Sequence, residues 1–477
     1  MTDEELLSLE PKLVWKYFNE LIKIPRCSKH EEKAAEFVFQ TAENFGYEVI
    51  TDHLKNVLIK VPASPSYEEK ASVCLQCHLD MVCEKNSDIE HDFTKDPIKA
   101  YIDGEYVKAR GTTLGADNGI GIAVLLALLE EKEHLHPPLE LLFTVDEETG
   151  LTGAFGLKED FLTSQRLINL DSEEEGTVYI GCAGGGGSEL YLPLNKVQVE
   201  DVGLLIKVHR LKGGHSGVDI HLGRANAIKL LVRALYRLIK SNELRLSCFF
   251  GGSKRNVIPR EAEALITVKD INKAKEILKK SEEDFKLEYE GREDMLEIEV
   301  KEAPAKEVLI DGEKVIQLLL ALPHGVISMN PHIEGLVDTS TNLAVVNTTE
   351  ETVEIFQSTR SSIIPALDDV RRGVEATGKL AGAEVVQTGS YPSWRPNLQS
   401  SLLKMAQETY REMYGKNPEV KAVHGGLETA VIGNKYPGMD MISIGATLNF
   451  PHSPDEQIHI PSVTKFYSYL HKLLEKL

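Results

Sequence analysis

Helical and strand patterns alternate along the first part of the chain, and this alternation limits the architecture more than any other feature. Amphipathic helical periodicity at 4–24 and 31–45 precedes strand-like runs near 48–51, 56–61 and 72–78. Then come the strand-like "EYVKARG", an apolar helix at 120–130, and strands at 139–145 and 167–169. Such an order implies an α/β sheet with helices on its faces.

The pattern changes between about residues 190 and 386. Strands such as "VGLLIKVHRLKG" and "EALITVKD" are separated by helices at 225–239 and 272–280, and the later part ("NLAVVN", "ETVEIFQSTR", helix 366–380) resembles the earlier one. This segment reads as an inserted α+β domain of two related halves. "QTGSYPSWRPN" reads as the return linker, after which 398–414, 420–423, 441–444 and 463–474 rebuild the α/β domain. The expected division is 1–186 with 388–477 against 187–387. The four glycines of "GCAGGGGSEL" cannot hold regular structure cheaply, so a hinge or tight loop is expected there. No Gly-Lys-Ser/Thr follows them, which removes a phosphate-binding loop.

A chain of 477 residues exceeds what one hydrophobic core supports, in keeping with two domains. Its net charge of −21 argues against nucleic acid or an anionic membrane as partner. The start has neither the basic nor the apolar region of a secretory signal. Six cysteines in so long a chain make no disulfide framework, so a cytoplasmic location is expected. Cys74 and Cys77 lie three apart on a strand and point to opposite faces, so they read as buried small hydrophobes, not a zinc or redox pair.

Acids and histidines recur where strands end, the place at which open α/β sheets bind ligands. They are His78 and Asp80 in "CHLDM", Asp117 in "LGADNGIG", Glu147 and Glu148 in "TVDEETG", Asp171 in "NLDSEE" and His452 in "FPHSPDE". Each alone would be a helix cap, a solvated turn or a packed ring. Together they suit a two-zinc site: two close ions need about four N or O donors each and a carboxylate bridging them. A further carboxylate serves as general base toward a bridging water, and an acid beside a ligand histidine fixes its tautomer. Glu147 and Glu148 can reach one site only if the strand ends before Glu147, because neighbours on a strand point opposite ways.

These segments, in this order, resemble the cocatalytic zinc exopeptidases of the carboxypeptidase G, PepV and aminoacylase type, and among them the aminoacyl-histidine dipeptidases. The likeness runs through "RGTTLGADNGIG", "DEETGLTGAFGL", "YIGCAGG", "LKGGHSGVDIHLGRANA", "GGSKRNVIPRE", "GLVDTSTNL", "HGGLETA" and "FPHSPDEQIHIPS". It implies a catalytic α/β/α domain interrupted by a lid domain. It also implies that Asp117 bridges two zinc ions, replaceable by manganese or cobalt, that His78 and Asp171 complete one ion, and that Glu148 and His452 complete the other. Asp80 would orient His78, and Glu147 would be the base. A cis peptide is implied between Asp117 and Asn118, and Asp146 is left without a catalytic role.

In the lid, the resemblance places His215 at the oxyanion, Asn256 on the substrate, and Arg360 on its free carboxylate, with Gly426 allowing close backbone approach. Judged alone, Arg360 would be a surface ion pair and Asn256 a turn residue. Ser216 is no hydrolase nucleophile, since "GHSGV" lacks the second glycine of the nucleophile elbow. His424 stays unassigned, though close enough in sequence to Gly426 to line a pocket. The substrate implied is a small peptide, and the lid is a candidate surface for a homodimer. The rival activities are N-acyl-amino-acid deacylation, tripeptide cleavage, and a non-catalytic metal-binding scaffold.

Overall fold

The computed structural model describes residues 3–131, 133–241 and 243–477. The chain divides into two compact units, one of Met1–Gly181, Pro396–Ala422 and Leu427–Leu477, the other of Cys182–Arg395 with Val423–Gly426. Among the described residues no helix is long and apolar enough to cross a membrane.

The first unit is built on an eight-stranded sheet. Its order is Glu48–Thr51, Val57–Val61, Leu139–Thr144, Val73–His78, Arg166–Asn169, Asp440–Ser443, Thr177–Cys182, Glu419–Val423. The four strands from Leu139–Thr144 to Asp440–Ser443 run parallel. Every residue of Val73–His78 and of Leu139–Thr144 is buried, the mark of strands covered on both faces. Register pairs His78 with Thr144 and Gln76 with Asn169, so the residues following these strands leave the sheet on the same side. The helix Ala116–Glu130 is apolar around its whole circumference and is correspondingly buried.

The second unit carries one nine-stranded sheet. Its main path is Glu297–Leu309, Lys196–His209, Ala262–Val268, Leu244–Gly251, Val337–Thr348, Thr352–Ser361, Gly184–Pro193, Glu384–Tyr391. Lys196–His209, helix Ala227–Ile239, Leu244–Gly251, Ala262–Val268, helix Ile271–Glu288 and Glu297–Leu309 form one β-α-β-β-α-β half. Gly184–Pro193, helix Gly312–Ala321, Val337–Thr348, Thr352–Ser361, helix Ile364–Leu380 and Glu384–Tyr391 form the other. The sheet order is therefore the same read from either end, and the halves join where Phe250 faces Asn347 and Gly251 faces Val346. This is the internal relation the sequence pattern suggested, and one continuous core, from Leu204 and Phe249 to Ile355 and Val374, serves both halves.

Several expectations fail. The four glycines are not a hinge: Gly184–Pro193 is a strand paired on both sides, with Gly185 opposite Arg360 and Gly187 opposite Thr388. A methyl group on Gly185 would stand 2.5 Å from the Tyr391 hydroxyl and one on Gly186 2.7 Å from the Arg371 guanidinium, so glycine is present because side chains close in from above. The expected domain junction at 186/187 falls inside that strand, and half of the supposed return linker belongs to strand Glu384–Tyr391. The helix expected over 4–24 is two, Asp3–Leu6 and Lys12–Leu21, broken ahead of Pro11, which stands at the N-cap of the second. Cys27 and Cys83 form a disulfide, 56 residues apart in sequence but brought together where Cys27 bridges to Met81. Cys74 and Cys77 are free and buried.

Candidate active site

Three of the chemistry-bearing segments leave the carboxyl ends of the parallel strands. His78 is the last residue of Val73–His78, and Asp171 lies two past Asn169. Leu139–Thr144 stops short of Glu147, as the two acids require, and Asp146 takes a left-handed turn (φ 50°) that starts the short helix Glu147–Gly150. His452 also has a left-handed backbone (φ 59°), a strained state for a non-glycine residue that is found most often at working sites. The peptide between Asp117 and Asn118 is cis.

One carboxylate sits between two histidines. Asp117 Oδ1 is 3.0 Å from His78 Nε2, and its Oδ2 is 3.2 Å from His452 Nε2. Asp171 Oδ1 lies 3.2 Å from His78 Nε2, and Glu148 Oε2 lies 3.0 Å from His452 Nε2. The donor atoms thus form two groups, His78–Asp117–Asp171 and Asp117–Glu148–His452, with Asp117 in both. Neighbouring donors around a tetrahedral ion with bonds of about 2.0–2.1 Å are about 3.3 Å apart, close to these separations. The site also crowds more carboxylates than it has cations of its own, and Glu148 Oε1 is buried without a hydrogen-bond partner. The donor set fits two divalent ions. Glu147 forms a further group with His78 and Glu148, so distance alone also admits it as a donor.

Asp80, fully buried, approaches His78 Nδ1 at 3.3 Å and accepts the backbone N–H groups of Glu147 and Glu148 at 3.0 and 3.2 Å. Burial alone would raise its pKa, yet the bonds from His78 and Glu147 bring it down to about 2. The same carboxylate therefore lies against the histidine ring and fixes the turn that presents both glutamates. Glu147 moves the other way: burial, then the charges of Asp171 and Glu148, push it well above the usual carboxylate range, against the pull of His78. Asp146, without a catalytic assignment, accepts the hydroxyls of Thr149 and Thr152 and holds the turn closed.

Several positioning groups escaped the sequence reading. Glu456 accepts four successive amides, Leu114 at 2.7 Å, Gly115 at 3.0 Å, Ala116 at 2.7 Å and Asp117 at 3.2 Å, fixing the loop that delivers Asp117. The buried Arg26 donates to the carbonyls of Leu79 (3.0 Å), Asp80 (2.8 Å) and Gly115. Glu428 accepts from Gln76 and Thr144, both at 2.6 Å, and burial raises it to about 8. Glu173, two residues past Asp171, is raised to about 8 by burial and then by the charges of Asp117 and Asp171. Glu428 and Glu456 stand inside quoted motifs, "HGGLETA" and "FPHSPDEQIH", so a buried-acid reading of those motifs would have found them.

In the second unit, His215 begins a tight turn. Its Nδ1 accepts the amides of Gly217 (3.3 Å) and Val218 (3.1 Å), which leaves the proton of the neutral ring on Nε2. Arg360 Nη2 comes within 3.5 Å of that nitrogen, and Arg360 Nη1 donates to the Tyr391 hydroxyl at 2.8 Å. His424 joins them: its Nε2 is 2.7 Å from Ser340 Oγ, and burial, with the charge of Arg360, lowers it to about 4. Gly426 has the Tyr391 ring against it, 3.1 Å from where a Cβ would stand. Asn256 lies in an exposed turn, and its carbonyl accepts from the amide of Ser216.

Residues 74–476 match the model of peptidase family M20/M25/M40. The chain belongs to this family. Over 480 aligned residues, 99% of each sequence, it is 44% identical to the cytosol non-specific dipeptidase of Escherichia coli K12. The structure matches that of the aminoacylhistidine dipeptidase from Vibrio alginolyticus with a TM-score of 0.91 and 41% identity, covering 100% of this chain and 99% of the other. The aminopeptidase PepT of Bacillus cereus shares the fold at a TM-score of 0.58 and 17% identity, covering 98% and 99% of the two chains. Family M20/M25/M40 is one of metal-dependent peptidases, in keeping with the donor groups around Asp117.

Proposed function

We propose that this chain is a dipeptidase that hydrolyses Xaa-His and other dipeptides with two zinc ions held around Asp117. The observation that carries the reading is the one carboxylate facing two histidines, in a chain 44% identical along its length to a dipeptidase. His78 and Asp171 would hold one ion with one oxygen of Asp117; Glu148 and His452 would hold the other with the second oxygen. Bound there, the ions supply Lewis acidity toward the scissile carbonyl and make water a competent nucleophile near neutral pH. A Glu147 carboxylate oxygen takes the proton of the attacking water and passes it to the peptide nitrogen, which leaves as the amine. Asp80 keeps His78 Nε2 turned toward the donor set.

His215, with its proton on Nε2, is a donor suited to the oxyanion that develops at the carbonyl. Arg360, steadied at Nη1 by Tyr391, offers its fork to the free carboxylate. Arg360→Met should then lower kcat/KM for dipeptides about 10–100-fold, the value of one charge-assisted hydrogen bond of about 1.5–3 kcal/mol. A dipeptide amide, which lacks the carboxylate, should be cleaved equally by both proteins; equal losses on acid and amide would remove Arg360 from this role.

A panel of Xaa-His dipeptides, β-alanyl-histidine, tripeptides and N-acetyl amino acids tests the substrate class. Dipeptides are expected to be cleaved with the highest kcat/KM. Deacylation outrunning dipeptide cleavage would overturn the proposal in favour of an N-acyl-amino-acid deacylase.

A further inference from the structure

The helix Ala116–Glu130 carries Asp117 at its start and runs out, at its far end, into a second cluster of metal-binding side chains. Glu131 and His134 follow the helix, and His471 comes from the C-terminal helix Ile460–Lys476. One donor atom from each lies within 4.8 Å of the other two. His471 Nε2 is 3.4 Å from Glu131 Oε2. Even so, neither His471 Nε2 nor His134 Nδ1 has a hydrogen-bond partner, and both are buried. Two unsatisfied imidazole nitrogens buried beside one carboxylate are costly unless something cationic or protic completes them.

The surroundings suit a cation. The 3.4 Å separation matches the edge of about 3.3 Å between donors on a tetrahedral ion with bonds of about 2.0–2.1 Å. Tyr467 donates its hydroxyl at 2.5 Å to Glu131 Oε2, the same oxygen that faces His471, and so holds the carboxylate in place with its other oxygen left over. The His134 ring packs against those of His471 and His136, at 4.8 and 4.9 Å between centroids.

We infer that Glu131, His134 and His471 form a further divalent-cation site of the zinc type, distinct from the donors around Asp117. Two imidazoles and one carboxylate select zinc, cobalt or nickel over magnesium and calcium, which prefer oxygen alone. At 1.5 Å per residue the helix sets Glu131 about 20 Å from Asp117, too far for shared ligands. An ion here would tie the end of this helix to the C-terminal helix and stabilise the folded chain in proportion to its binding.

The test is a zinc count on the full chain after chelation and equilibrium dialysis against Zn2+. His471→Gln and His134→Gln should each bind one equivalent fewer than wild type, with dipeptide turnover unchanged. Asp117→Ala, which spares the second cluster, should still bind one equivalent, and Zn2+ should raise its Tm. Equal counts in wild type and both histidine variants would overturn the inference, and so would an Asp117→Ala chain that folds and binds no Zn2+. The difference of one equivalent does not depend on which substrate the enzyme takes, so failure of the dipeptidase reading would leave it standing.

Discussion

Glu147→Ala is expected to lower dipeptide turnover about 10²–10⁴-fold, the usual contribution of a positioned general base, while the protein keeps its full complement of metal. The expectation follows from where the strand stops. Because Leu139–Thr144 ends before Glu147 and Asp146 turns the chain through a left-handed conformation, Glu147 and Glu148 are presented from one short helical turn and not from opposite faces of a strand. Asp80 then fixes both of their amides. Glu148 lies 3.0 Å from His452 and belongs to the metal group shared with Asp117, whereas Glu147 belongs to neither group that contains Asp117 and is the carboxylate proposed to carry the proton. Turnover and bound metal measured on the same preparation separate the two roles. A variant that loses metal along with activity would make Glu147 a ligand, and one with turnover close to wild type would remove it from the reaction.

The parts of this site that were legible in the sequence share a property: each lies in a short motif, at a strand end or, for Asp117, at the start of a helix, where local pattern and chemistry coincide. His78, Asp117, Glu147, Glu148 and Asp171 are of this kind, and the structure brings them together with His452. Arg26 gave no such signal. It stands early in the chain, and its value comes from the carbonyls of Leu79, Asp80 and Gly115, which only the tertiary fold brings to it. Glu456 stood inside a quoted motif without a role of its own, because four amides from residues more than 300 positions away cannot be inferred from its neighbours. The glycine run was misread for the opposite reason. Intrinsic propensity argues against a strand of glycines, but two-sided pairing and the close approach of Tyr391 and Arg371 leave no room for any larger residue. Tertiary packing overrode the local preference.

Asp117→Ala should have the larger consequence, since it removes the one group common to both halves of the metal site. Its two oxygens lie 3.0 and 3.2 Å from different histidines. Without it, His78 retains Asp171, and His452 retains Glu148, so each ion would be left with a two-residue remnant and with no carboxylate between the two positive charges. Both ions should therefore be lost together, and affinity should fall by more than the about 10–100-fold that losing an outer partner of a metal ligand costs. His452→Ala offers the contrast: it touches one group only and should release one ion in preference to the other. Metal analysis of the two variants side by side decides the matter. If Asp117→Ala gave up a single ion and otherwise behaved as His452→Ala does, the carboxylate would serve one metal only, and the bridged arrangement would have to be abandoned.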